Sequence, residues 1–108
     1  MGELEKTAEE NQMNYILQGK EAIPIDDVLE WGRWFQKHDR KVKVDEVGDV
    51  KISTVFLGLD HQFNPGGLPL LFETMVFGGE HDQFQNRYTT WEEAERGHDE
   101  AVAMVKGG

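Results

Sequence analysis

Five side chains combine a chemistry-bearing group with a position that the chain would hold in place. Asp60 and His61 follow directly on the apolar run Val50 to Leu59. An imidazole there titrates near neutral pH and could act as a base or a metal ligand, with Asp60 adding negative charge to the same pocket. The same pair also reads as an Asx-type turn followed by an exposed histidine. Glu73 lies in the middle of a second apolar run, Leu68 to Phe77. A buried lone carboxylate is costly, so it must be paired, coordinated or wet, and Arg87, Lys51 or an indole N–H would satisfy it without any function. His81 and Asp82 come next, in the turn Gly78 to Asn86. His98 falls on an apolar helical stripe, where a bond to a strand carbonyl or to Glu73 would make it a satisfied core histidine.

Asp60, His61, Glu73, His81 and His98 therefore form the candidate polar site. His61, Glu73 and His81 supply the ligand types of a metal-assisted hydrolase, but none of them shows the spacing of a His-Glu-x-x-His helix. There is no dinucleotide-binding glycine motif, P-loop, nucleophile elbow or helix-turn-helix pattern. Asn64-Pro-Gly-Gly67 reads as a turn, because no helix start follows it. No catalytic set is complete, and neither a cofactor nor a metal is assigned from the sequence.

The elements that must position these groups follow from periodicity. Residues 1–12 are acidic and carry little to bury, which predicts a flexible leader ahead of a single domain over 13–108. Tyr15 to Leu17 suggests a short strand, with a turn at Gly19 and an extended approach at Ile23, which precedes Pro24. Asp26 and Asp27 open a helix over 26–38, with Asp27 and Glu30 at capping-box spacing. Val28, Trp31, Gly32 and Phe35 repeat at helical steps, widened by Leu29, while Trp34 lies off the stripe and is a candidate interface residue.

Lys41-Val-Lys-Val-Asp45 alternates, predicting that Val42 and Val44 point inward while Lys41, Lys43 and Asp45 face water. Two central strands, over 50–59 and 69–77, follow from runs rich in β-branched and aromatic residues. In the first, Ile52, Thr54, Phe56 and Gly58 share one face; in the second, Leu70, Phe72, Thr74 and Val76 do. Arg87 to Thr89 offers a last short strand, and a threonine at 89 or 90 caps a final helix over 90–105. Its apolar stripe is Trp91, Ala94, His98, Ala101 and Val105, with Gly97 allowing close packing.

These elements make an α+β fold: a small antiparallel sheet of three to five strands with two helices packed on one face. One layer of two helices covers only one side of the sheet. The other side, carrying Met75 and Phe77, then predicts a dimer interface or a ligand groove.

The totals narrow the classes. With 21 acidic and 11 basic residues among 108, the net charge is −10, a field that repels nucleic acid and anionic lipid. The basic run Arg33, Lys37, His38, Arg40, Lys41 and Lys43 is diluted by acidic neighbours, so direct nucleic-acid binding is not expected. There are no cysteines, which excludes disulfides, thiolate nucleophiles and sulfur-ligated metals. No apolar stretch approaches the roughly 20 residues of a membrane span, and no secretory signal opens the chain, which predicts a cytoplasmic protein without membrane attachment.

Several segments carry a resemblance: Tyr15-Ile-Leu17, Trp31-Gly-Arg-Trp-Phe35, Ile52 to His61, Pro69 to Gly79, Arg87 to Glu95, and Gly97-His98. From about Met13 onward the chain resembles a group of small proteins encoded in tailed-phage and prophage genomes. The resemblance implies origin and a host-cell cytoplasmic setting, and it brings no catalytic residue with it.

The resulting expectation is an accessory protein acting by protein–protein interaction, as a homodimer or on a host or phage protein, through the uncovered face and Trp34. Two alternatives are a metal-assisted hydrolase using His61, Glu73 and His81, and an acidic inhibitor of a nucleic-acid-binding protein, which would need carboxylates aligned on one face.

Overall fold

The computed structural model describes residues 14–60 and 68–107; the predicted leader and His61 lie outside the described residues. Strands β1 (Asn14–Gln18) and β2 (Glu21–Ile25) form an antiparallel hairpin. Helix α1 (Val28–Lys37) follows, then β3 (Lys41–Val47), β4 (Val50–Phe56), β5 (Phe72–Phe77) and β6 (Gln85–Tyr88), and last helix α2 (Trp91–Val105). The four later strands make one antiparallel meander in chain order. The chain thus adopts the predicted α+β architecture, with both helices against the same face of the sheet.

Two clusters build the core on that inner face. Phe56, Leu71, Phe72 and Ala94 are buried beneath Tyr15, Trp34, Phe35 and Trp91. Ile52, Val76 and Ala101 form the second cluster, with Val47, Val50, Phe84 and Val105 around them. Each fully buried large side chain contributes about 1.5–3 kcal/mol of transfer free energy.

The helices start where their caps dictate. Asp27 Oδ1 accepts from the N–H groups of Leu29 at 3.0 Å and Glu30 at 3.3 Å, and Thr90 Oγ1 accepts from Glu93 N–H at 3.1 Å. The Glu93 carboxylate reaches back to the hydroxyl and N–H of Thr89. Those two bonds hold its pKa below the usual carboxylate range.

Gly97 permits what its sequence position suggested. A methyl group there would overlap the ring of Tyr88, which occupies that space. Gly58 plays the same part for Phe35 at a left-handed φ of 79°.

Four sequence expectations are corrected. The alternation in β3 breaks: a bulge between Lys41 and Lys43 places Val44 opposite Ser53 on the outer face and Asp45 opposite Ile52 on the inner face. The extra residue reverses the side-chain phase from that point on, so Lys43 and Asp45 turn toward α2 while Val44 is 37% exposed. On α1, Val28 and Leu29 are exposed, and the partly buried stripe runs through Trp31, Trp34 and Phe35, because three large rings bury more apolar surface than two aliphatic side chains at the open first turn. The segment from Leu68 to Leu71 is not strand, and β5 begins only at Phe72. Finally, Glu21 to Ile25 is a strand, Pro24 being accommodated because β2 pairs on one side only, with β1.

Besides the packing of Tyr15, Leu17 and Ala22 on the first core cluster, backbone and indole contacts tie the hairpin to the main body. Leu59 bridges Asn14, Tyr15 N–H donates to the Gly58 carbonyl at 2.7 Å, and the Trp31 indole N–H donates to the Tyr15 carbonyl at 3.1 Å.

Candidate functional site

The outer face of the sheet is laid out in three cross-strand rows. Lys41, Val55, Glu73 and Arg87 form one; Val44, Ser53, Met75 and Gln85 the middle one; Glu46, Lys51 and Phe77 the last. Every side chain that packs on the two core clusters belongs to the inner face, the helices or the hairpin. Among the described residues, then, no helix or hairpin packs over this outer face. Phe77 is 45% exposed, and Met75 and Val55 are half-buried.

Glu73 belongs to this surface. Its Oε2 accepts from Arg87 Nε at 3.1 Å and from the Gln85 amide, both on the neighbouring strand. Its side chain is only 12% exposed, against 35% for Arg87. The carboxylate is thus a paired, cross-strand group and not an open ligand.

His98 is placed elsewhere, in the core. It is fully buried, with Nδ1 2.7 Å from Thr54 Oγ1 and Nε2 2.8 Å from Asp45 Oδ2. Thr54 in turn shares a hydrogen bond with Thr74, and both threonines are fully buried. A carboxylate accepts, so Nε2 carries a proton. In the neutral ring Nδ1 then accepts, and the donors run in one direction, from Thr74 to Thr54 to His98 to Asp45. The constellation has the acid–imidazole–hydroxyl order of a nucleophilic triad. With both hydroxyls and the ring at 0% exposure, no substrate atom reaches it; its role is to satisfy polar groups inside the core.

The remaining candidates are dispersed. Asp60 Oδ1 accepts from Leu70 N–H at 3.1 Å. Its charge also contributes, after burial, to raising the Tyr15 pKa. His81 lies in the turn after β5, its carbonyl accepting from Phe84 N–H at 3.0 Å, and Asp82 accepts from Gly78 N–H at 2.6 Å. Among the described residues no three His, Cys, Asp or Glu side chains are arranged to hold a metal ion.

Trp34 packs edge-on to Phe56 with ring centroids 5.8 Å apart and stacks on His38. This places it on the inner face, apart from Met75 and Phe77. The basic run is also divided: Arg40 lies over the Phe35 ring, Lys43 pairs with Asp99 at 2.8 Å, and Lys41 stands on the outer face.

A cleft of about 590 Å³ opens between the hairpin and the start of α2, bordered by Tyr15, Lys20, Glu21, Leu71, Thr90 and Trp91. Lys20 Nζ lies 5.9 Å from the centre of the Trp91 ring, and Glu21 offsets its charge. The cleft contains no convergent catalytic groups.

Sequence reasoning missed Asp45, Thr54 and Thr74 as partners of His98. The signal was half present, since both threonines fall in phase with the apolar residues of their strands. No family model, curated protein or solved structure matches the chain.

Proposed function

We propose that this chain is a small accessory protein that works by protein–protein interaction, self-association included, through the outer face of its sheet. The observation that carries the reading is the outer face itself, where Val44, Val55, Met75 and Phe77 present apolar side chains that no described element covers. Antiparallel sheets often leave one face to water, but that face then alternates to polar residues. Here the face is mixed: of its eleven paired positions Val44, Val55, Met75 and Phe77 are apolar and the other seven are polar or charged, and apolar surface rimmed by polar residues marks a contact site. Assignment to a phage or prophage, and with it the host cytoplasm as the place of action, rests on the sequence resemblance alone. Among the described residues no helix is long and apolar enough to cross a membrane.

The hydrolase alternative is the weaker one, because Glu73 is engaged by Arg87 and Gln85. The acidic-inhibitor reading finds aligned carboxylates at Glu92, Glu95 and Asp99 on α2, but Lys43 pairs with the last of them.

The chain has no cysteine, so Ser53→Cys creates a unique labelling point in the middle row. An environment-sensitive fluorophore there should shift to the blue when a partner covers the face, either on concentrating the protein or on adding bacterial extract. A label at Asp49→Cys, in the exposed β3–β4 turn, should not. No shift at Ser53→Cys under either condition refutes the reading.

A further inference from the structure

We infer that the occupant of the outer face is a second copy of this chain, packed sheet on sheet about a two-fold axis that runs along the middle row, perpendicular to the strands. The inference rests on the proposed interaction surface and adds the partner and its geometry.

Three observations lead to it. The first is charge. The chain carries −10 overall, yet its outer face bears Lys41, Lys51 and Arg87 against Glu46 and Glu73. This is a region where two copies approach without the repulsion that the acidic α2 side would impose.

The second is the state of the edges. Strand β3 is a free edge of the sheet, but it is bulged at Lys41/Lys43 and carries both lysines. Such features block edge-to-edge pairing. The other edge, β6, is four residues long. Association by adding strands is disfavoured at both edges of this sheet, and Pro24 interrupts the unpaired side of β2 in the hairpin, which leaves the face.

The third is self-complementarity. An isologous interface places each residue opposite its symmetry mate's counterpart. An axis along the middle row exchanges the two outer rows. Val44, Ser53, Met75 and Gln85 then meet their own copies, Lys41 of each protomer meets Glu46 of the other, and Phe77 lies over the Glu73–Arg87 pair. The alternative in-plane axis, parallel to the strands, brings Lys41 against Arg87 of the other copy and puts two cations in contact. Complementary charge selects the first arrangement, in which Val44 and Met75 meet their own copies along the axis, Lys51 of each protomer lies over Val55 of the other, and the Lys41–Glu46 ion pairs stand at the rim.

The test uses full-length protein in sedimentation velocity. Wild type should run at twice the chain's 12.4 kDa. Lys41→Glu and Glu46→Lys each create two like-charge contacts in their own homodimer and should weaken self-association by about tenfold or more. Mixed one to one, the two variants restore both pairs, and the dimer should return. Both positions are exposed, and circular dichroism with thermal melting establishes that each variant is folded. Wild type that stays monomeric to about 1 mM, well above the range of specific complexes, overturns the inference. So does a dimer indifferent to both substitutions, or single variants that fail to recover on mixing. Monomeric wild type whose Ser53→Cys label still shifts in extract would leave the interaction reading standing and refute only the second copy; no shift in either condition refutes both.

Discussion

Nε2 of His98, in the middle of α2, lies 2.8 Å from Oδ2 of Asp45 on the edge strand β3, and this contact ties helix to sheet through a group that is itself fully buried. Removing any member of the chain behind it strands the others. Thr54→Val should cost about 1–3 kcal/mol in urea unfolding, because Thr74 and His98 both lose a partner. Thr54→Val with Thr74→Val should cost less than the sum of the two single changes, since they share one network. Additive losses would show that the bonds are not coupled.

Gly97 and Gly32 should respond to alanine in opposite directions. At Gly32 on α1 nothing stands within 4 Å of an added Cβ, so Gly32→Ala should stabilise by up to about 1 kcal/mol. At Gly97 the Tyr88 ring occupies the space, and Gly97→Ala should destabilise by about 1–3 kcal/mol. Tyr88→Val in the same background should recover part of that loss in thermal melts.

Stability should fall on the acid side partly through Glu93 and Asp99. Both carboxyls are held below their ordinary values, Glu93 by its hydrogen bonds from Thr89 and Asp99 by its hydrogen bond from Lys43. A depressed native pKa means that the unfolded chain binds more protons between the two values. The contribution is therefore present above the ordinary carboxylate range and lost as pH drops through the native value. Lys43 is raised by the same Asp99 partner, so its share is present below the ordinary lysine value and lost as pH rises through the native one. Glu93→Gln should flatten the acid limb of a Tm-against-pH curve and leave the alkaline limb unchanged. An unchanged acid limb would contradict the capping role.

The hairpin depends on Trp31. Trp31→Phe removes the indole N–H that holds the Tyr15 carbonyl and should cost about 1 kcal/mol. Hydrogen exchange should quicken in β1 and β2 while β4 and β5 stay protected. Uniform acceleration across the chain would mean that the hairpin and the main sheet open as one unit.

The central strands, their facing sets and both helix caps were legible in the sequence because each depends on local chemistry: alternation around Ile52 and Val76, and an aspartate or threonine placed before its helix. What escaped were features set by neighbours distant in the chain. The bulge in β3 has no marker in Lys-Val-Lys-Val-Asp, a flawless alternation, and the groups it serves, His98 for Asp45 and Asp99 for Lys43, lie more than fifty residues later. The pairing of Glu73 was visible as a need, with Arg87 among the named partners, since register alone decides which cation arrives. The separation of Trp34 from Met75 and Phe77 could not be read from a helical wheel, which gives no direction of docking.

The bulge at Lys41/Lys43 also bears on how this sequence can change. The turn at Gly48 and Asp49 pins Val44 to Val47 against Val50 to Ser53, so deleting one residue at the bulge would straighten the edge and leave Val44 outward and Asp45 beside His98, while the change falls on the residues before it. Val42, which packs on the first core cluster, is the side chain such a deletion would displace. In a library of variants, a one-residue deletion between Lys41 and Lys43 should thus spare the His98 contact and register as a loss at the Phe56 end of the core.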